Sequence, residues 1–140
     1  MRLWHYEIIS YLPNSQLLAQ WRELNSIFKK QDKHILINYI YEYDKTDLYV
    51  YTLKVINEMK RRGITIKKSD NYYNYFIDSI SDFVNFFYCC PYIPFVNHHN
   101  DRYLLQCFYN LQEKYDRGQK DFTNERYDEL ENFMKGLKLL

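Results

Sequence analysis

Apolar residues recur along the chain at the period of an α-helix. After Pro13, the large apolar side chains follow one another at steps of four, three and four, as Leu17, Trp21, Leu24 and Phe28. Such steps place side chains on one face of an α-helix, whereas a strand would alternate at every second residue. The pattern therefore predicts a first helix over about residues 14–30.

A second helix is predicted over residues 44–62. Asp44 or Thr46 can cap its start, and Gly63 follows as a C-terminal stop. Leu48, Val55 and Met59 line one side, and further apolar residues widen the stripe. We therefore expect this helix to be buried on more than one face.

Three more periodic segments predict helices over residues 69–90, 101–115 and 124–137. The sequence CCPYIPF joins the first two of these, and its prolines favour an extended connection. Only 3 Gly and 3 Pro occur in 140 residues, which argues against a turn-rich β-sandwich. The chain is thus expected to form one all-α domain of about five helices, spanning residues 1–140.

Composition narrows the class of protein further. Apolar runs are short and interrupted, so no membrane-spanning segment is expected, and the first residues lack the basic and apolar parts of a signal peptide. The chain has three cysteines, of which Cys89 and Cys90 are adjacent. An odd number of thiols favours reduced, buried cysteines in a cytoplasmic protein.

The net charge of +1 is unevenly distributed. Residues 1–68 hold 12 Lys and Arg against 7 Asp and Glu, whereas residues 69–140 hold 7 against 11. Such a basic half can follow a phosphate backbone, or its cations can simply face water at the C-terminal ends of helices. The basic residues cluster at Lys29, Lys30 and Lys33 and again at Lys60, Arg61, Arg62, Lys67 and Lys68.

Two adjacent charged residues, Arg22 and Glu23, stand in the middle of the first predicted helix. At 100° per residue, Glu23 lies opposite the apolar stripe, beside Gln16 and Ala19. A carboxylate on that face is either solvated or directed at a ligand. The helix alone leaves both possibilities open.

The segment around this pair resembles a known family. The pattern S-x-L-x-x-x-x-L-x-A-x-W-R-E-L, from Ser10 to Leu24, is similar in register and without a gap to pyrimidine-dimer DNA glycosylases of the phage endonuclease V type. Phe28, Lys33 and His34 continue it, while KRRGITIK and YIP resemble later segments. The opening MRLWH and the segment YLPxxQLL resemble a bacterial branch of this family. The similarity reaches about residue 95, so residues 96–140 are expected to form less similar C-terminal helices.

The resemblance implies a DNA repair glycosylase that also nicks the strand as an AP lyase. It implies that the nucleophile is the N-terminal amine, of Met1 or of Arg2 if Met1 is removed, and that Glu23 is the catalytic acid or base. An α-amine is about 14% neutral at pH 7, against about 0.04% for a lysine amine. The N-terminal arm should then lie between the first two helices, with its end near Glu23. No cofactor is implied.

The expected partner is double-stranded DNA with damaged pyrimidines or abasic sites, bound by a monomer. The residues expected to bind it are Arg22, Lys29, Lys30, Lys33 and His34.

The sequence departs from the family at four positions. Arg2, Leu3, Gln16 and Ser26 stand where the family has Thr, Arg, His and Arg. Arg2 is a candidate to replace the arginine missing at Leu3, and Lys29 or Lys30 the one missing at Ser26.

Other polar clusters favour structural roles. His98, His99 and Asp101, with the paired cysteines, match no closed zinc motif, so no metal is expected and Asp101 is interpreted as a helix cap. Trp4 is interpreted as a packing residue rather than a base-stacking wedge. Cys107 and the tyrosines at 72, 73 and 75 are assigned to the core or its edge. The alternative function is a non-catalytic nucleic-acid-binding or interaction module on the same scaffold.

Overall fold

The computed structural model describes residues 2–78 and 92–140. Short 3-10 helices at Tyr6–Tyr11 and Asn38–Glu42 precede α1 and α2. These two ranges contain no β-strand, and none of their helices is long and apolar enough to span a bilayer. The all-α prediction is confirmed. The α-helices in these ranges are α1 (Asn14–Lys30), α2 (Lys45–Arg61), α3 (Asp70–Phe76), α4 (Asp101–Asp116) and α5 (Asn124–Gly136).

Four of these helices match their predicted limits to within one residue, and α3 is the exception. Ser69 caps α3 by accepting a hydrogen bond from the Tyr72 N–H, but the helix ends at Phe76 and a turn follows at residues 77–78. The prediction of one continuous helix is wrong there, because apolar spacing shows which side chains can share a helical face but does not mark a turn in the backbone. The rest of that predicted helix, from residue 79 to residue 90, lies outside the described residues.

The N-terminal arm, residues 2–5, lies in the core between α1 and α2, as predicted. Leu3 and Trp4 are buried. The Trp4 N–H donates to Gln20 Oε1 of α1 at 2.8 Å, and the Tyr51 hydroxyl of α2 donates to the Trp4 carbonyl at 2.6 Å. The Tyr103 hydroxyl of α4 donates to the Leu3 carbonyl at 2.5 Å. Three helices therefore satisfy the polar backbone groups that the buried arm would otherwise leave unpaired.

Helix α1 is buried over a wider face than its apolar stripe. Gln20 and Ile27 are buried, and at 100° per residue both lie on the side of Glu23. The arm covers this side. The face that the helical pattern left open is therefore partly covered by the arm.

Helix α5 extends the hydrophobic core. Leu130 and Met134 are fully buried, and Phe133 stacks on Tyr11 of the first 3-10 helix with ring centroids 5.0 Å apart. The connection from α4 to α5 is tied to the start of α1, because Asp121 accepts the Ser15 N–H at 2.6 Å. An acidic side chain there satisfies a free N–H and interacts favourably with the helix dipole.

Arg62, one of the clustered basic residues, is a buried structural residue. Its side chain is 7% exposed. It donates to Glu58 Oε1 at 2.8 Å, to Asn14 Oδ1 at 2.9 Å and to the Ser10 carbonyl at 3.0 Å. These contacts join α2 to the segment before α1, so this cation is engaged within the fold rather than presented to a phosphate.

The Arg62→Ala variant should lower the free energy of unfolding by about 2 kcal/mol, because Glu58 loses one of its partners and the Ser10 carbonyl loses the closer of its two arginine donors. Arg61→Ala is the matched control. Arg61 also binds Glu58, but its side chain is 64% exposed, so water replaces most of the interaction and a clearly smaller loss is expected. Urea unfolding measures both, and equal losses would contradict the structural role of Arg62.

Candidate functional site

A cavity of about 220 Å³ opens where the arm, α1, α4 and the loop after α1 meet. Elements distant in sequence build it, so its walls combine polar, charged and apolar side chains. Its lining residues are Arg2, Trp4, Gln16, Ala19, Gln20, Glu23, Leu36, Asn110 and Lys114.

Glu23 and the start of the arm meet in this cavity. The backbone N–H of Arg2 donates to Glu23 Oε2 at 3.3 Å, and Gln20 Nε2 donates to the same oxygen at 3.2 Å. Of the residues predicted to be catalytic, the structure thus brings Arg2 and Glu23 together. Met1 lies outside the described residues.

Partial burial raises the pKa of the Glu23 carboxyl above its usual value. The hydrogen bond from the Arg2 backbone, the positive amino end of the chain, Gln20 and Arg22 each act in the opposite direction and only partly offset burial. A carboxyl group with a raised pKa exchanges protons near neutral pH more readily than a solvated glutamate. This is the environment expected of an acid or base in a reaction.

Gln20 positions the arm, although it was not among the site residues predicted from the sequence. Its Oε1 accepts from the Trp4 N–H at 2.8 Å and lies 2.9 Å from the Tyr51 hydroxyl. Its Nε2 donates to the Arg2 carbonyl at 3.1 Å as well as to Glu23. The sequence shows only that Gln20 lies on the Glu23 side of α1. It does not reveal that Gln20 is buried, because the N-terminal arm provides the cover.

The aromatic residues of the arm and α4 hold the Arg2 side chain. Its guanidinium carbon lies 5.9 Å from the centre of the Trp4 ring and 5.8 Å from that of Tyr103. These distances are within the range of cation–π attraction. Trp4 is 6% exposed and packs in the core, as predicted.

The five residues predicted to bind DNA are all exposed. Lys29 lies on the Arg22 side of α1, and Lys30 lies on the Glu23 side. Lys33 and His34 belong to the loop whose Leu36 lines the cavity. Lys114 of α4 adds a cation at the cavity that the sequence analysis missed, because it comes from the far end of the chain.

Two histidines, His5 at the end of the arm and His99 before α4, form a neutral buried pair. His5 Nδ1 accepts the Glu7 N–H at 3.1 Å, so its Nε2 donates to the His99 carbonyl at 2.8 Å. His99 Nδ1 accepts the Tyr6 N–H at 3.3 Å, and its Nε2 lies 2.6 Å from the Tyr39 hydroxyl. Burial lowers the pKa of His5 to about 4 and that of His99 to about 2.

This pair predicts that the fold loses stability as pH falls. The folded pKa of each histidine is below the unfolded value of about 6.5, so the unfolded chain binds more protons between that pH and about 4. We expect the free energy of unfolding to fall by up to about 1.4 kcal/mol per pH unit for each histidine in this window. Urea unfolding at pH 7.5 and 5.0 measures it. A variant with His99→Asn should show a shallower dependence, whereas exposed His34→Gln should not.

The structure offers no metal centre among the residues it describes. No group of three potential ligands occurs there, and both ring nitrogens of His99 are already hydrogen bonded. Cys89 and Cys90 lie outside the described residues. The interpretation of Asp101 as the cap of α4 is wrong: Asn100 precedes it and accepts the Tyr103 N–H at 3.0 Å.

The remaining aromatic and thiol candidates belong largely to the core. Tyr72 is buried and packs edge-on against Phe28 and Phe76, with Tyr75 partly buried beside them, whereas Tyr73 is about half exposed. Cys107 is fully buried on α4, and burial raises the pKa of its thiol. A thiol with a raised pKa is a poor nucleophile.

The fold and the cavity define a helical protein in which a carboxylate is held against the start of the chain and cations flank the opening. A family model described as pyrimidine dimer DNA glycosylase matches residues 1–72, slightly more than half of the chain. The chain belongs to this family, whose function is DNA repair of the glycosylase type on DNA with pyrimidine dimers. No curated protein and no solved structure is significantly similar to it. The matched part contains Arg2, Gln20 and Glu23, whereas Asn110 and Lys114 lie beyond it.

Proposed function

We propose that the protein is a DNA glycosylase with AP lyase activity, which acts on pyrimidine dimers and abasic sites through an imine with its terminal amine. The observation that carries this proposal is the 3.3 Å contact between the Arg2 nitrogen and Glu23 Oε2 inside a cavity. Family membership supports the glycosylase part. The contact supports the choice of amine and acid.

The contact accommodates either possible terminal amine. If Met1 is removed, the Arg2 nitrogen itself is the α-amine and already lies beside the Glu23 carboxylate. If Met1 is retained, its nitrogen is three covalent bonds from that of Arg2, which keeps the two within roughly 3.7 Å of each other. In both cases a single deoxyribose can touch the amine and Glu23 together.

The chemistry then proceeds without a further group. The neutral amine attacks C1′ while the bond to the base breaks, and the base leaves with the electron pair. The Glu23 carboxylate stabilises the positive charge that develops on the sugar. A proton then passes from nitrogen to the ring oxygen O4′ as the C1′–O4′ bond breaks, which leaves a protonated imine at C1′ and a hydroxyl at C4′.

Strand cleavage follows by β-elimination. Glu23 removes a proton from C2′, the electrons move toward the imine, and the 3′ phosphate leaves. Water then hydrolyses the imine and restores the amine. Because C1′ is enclosed in a duplex, the nucleotide must be turned out of the stack first, while the exposed cations Arg22, Lys29, Lys30, Lys33 and His34 hold the flanking phosphates.

An end-labelled duplex with one abasic site tests the proposal against the alternative of a non-catalytic DNA-binding module. The lyase should cut at that site and leave an unsaturated aldehyde at the 3′ end, and a duplex with one pyrimidine dimer should be cut at the dimer. A module would bind both duplexes and leave them intact. Binding without cleavage of either duplex would refute the proposal.

A further inference from the structure

Two helices hold the start of the chain by its backbone. Gln20 of α1 donates to the Arg2 carbonyl at 3.1 Å and accepts the Trp4 N–H at 2.8 Å. The Leu3 carbonyl, between these two groups in the chain, instead accepts the Tyr103 hydroxyl hydrogen at 2.5 Å. Tyr103 belongs to α4, so the arm is bound to a second helix at the residue that Gln20 leaves free to turn.

Tyr103 also holds the side chain of Arg2. The guanidinium carbon of Arg2 lies 5.8 Å from the centre of the Tyr103 ring, within the range of cation–π attraction. Cys107, one helical turn further along α4, interacts with the same guanidinium. Side chains four residues apart share one face of a helix. This face of α4 therefore receives the Arg2 side chain, while the Tyr103 hydroxyl binds the backbone one residue later.

The Tyr103 side chain is itself fixed. Its ring packs against the buried His99 ring, with centroids 5.0 Å apart. Burial raises the pKa of the Tyr103 hydroxyl well above its usual value, so the hydroxyl keeps its hydrogen and remains a donor. A carbonyl oxygen can only accept, so that hydrogen must point at Leu3. A donor whose ring is already packed loses little further entropy when it binds the arm.

We propose that Tyr103 is a positioning residue, which clamps the start of the chain onto α4 so that the terminal nitrogen stays beside Glu23. The Arg2 nitrogen lies 3.3 Å from Glu23 Oε2, longer than a typical hydrogen bond, so this contact alone holds the arm weakly. The inference rests on the proposed function where it concerns cleavage, since a misplacement of about 1 Å can slow a reaction about a hundredfold. Tyr103 lies beyond residues 1–72, which match the family model.

Amide hydrogen exchange in the protein without DNA tests the clamp separately from the chemistry. The Trp4 N–H reports opening of the arm, and the Val55 N–H, at a fully buried residue of α2, reports opening of the whole fold. Tyr103→Phe keeps the ring but loses the hydroxyl, so exchange at Trp4 should rise about tenfold relative to Val55. Tyr103→Leu loses the ring over Arg2 as well and should raise this ratio further.

The matched control is Tyr115→Phe, on the same helix. The Tyr115 hydroxyl donates to Asn124 Oδ1 at 2.5 Å, away from the arm, so its loss should leave the exchange ratio native. Single-turnover cleavage of an abasic duplex then measures the effect on the reaction. Tyr103→Phe should cut about tenfold more slowly, with an affinity for an uncleavable duplex within about twofold of native. Tyr115→Phe should keep both the rate and the affinity.

Each outcome decides the inference. An unchanged exchange ratio in Tyr103→Phe would overturn the clamp, whatever the rate of cleavage. A raised ratio with native cleavage would overturn the positioning role, whereas a raised ratio with slower cleavage at native affinity would support it. A raised ratio in a protein whose native form does not cut abasic DNA would support the clamp and refute only the lyase mechanism.

Discussion

The Glu23→Gln variant is expected to bind damaged duplex DNA as the native protein does and to cut it about a thousandfold more slowly. The amide keeps the shape of the side chain, but it cannot take a proton from C2′ and offers no charge to a cationic sugar. The Arg2 N–H and Gln20 Nε2 both donate to Glu23 Oε2, and a glutamine at this position keeps an oxygen that can accept both. The fold should therefore survive the change.

Single-turnover cleavage of an abasic duplex measures this effect, and a binding titration with an uncleavable analogue measures affinity. Glu113→Gln is the matched control, because Glu113 is an exposed carboxylate on α4 that pairs with Arg117. Native cleavage by Glu23→Gln would remove Glu23 from the mechanism. Equal loss of binding and cleavage would assign it to DNA binding.

The Gln20→Ala variant should lower the rate of cleavage about a hundredfold while DNA affinity changes less than about threefold. Gln20 holds the backbone at Arg2 and at Trp4 and also contacts Glu23. Without it the arm loses its register against α1, so the amine and the carboxylate no longer meet reliably. The variant should also lose about 2–3 kcal/mol of unfolding free energy, since buried backbone groups lose their partners.

A control variant that weakens the fold elsewhere distinguishes a general loss of stability from a misplaced amine. Thr52 is fully buried, and its hydroxyl donates to the Leu48 carbonyl within α2. Thr52→Ala should lower stability and leave the rate constant of cleavage near native below the unfolding temperature. If the two variants lose cleavage in proportion to stability, Gln20 has no positioning role.

Much of the fold could be predicted because its helices obey local rules. The period of Leu17, Leu24 and Phe28 and the stop at Gly63 gave helix limits that agree with the structure. The end of α3 at Phe76 did not follow the pattern, because apolar spacing shows which side chains can share a face but does not mark where the backbone turns. The role of Arg62 was also hidden, because a buried cation and a surface cation are identical in sequence.

The site could be predicted only in part. The resemblance around Trp21, Arg22 and Glu23 indicated the correct face of α1. The helical pattern alone left open whether that face is solvated or directed at a ligand. The arm partly covers this face, through backbone hydrogen bonds to Gln20 and Tyr51 that join residues 16 and 47 positions apart. Lys114 and Asn110 come from a helix about 90 positions further along the chain, where no local pattern marks them.

Borohydride trapping on an abasic duplex tests whether the terminal amine forms an imine opposite Glu23. Borohydride reduces an imine to a stable amine, so proteolysis and mass spectrometry can locate the modified nitrogen. We expect one adduct, on the α-amine of Met1 or Arg2, and none after that amine is acetylated. An adduct on a lysine side chain, or none from a protein that cuts the strand, would contradict it.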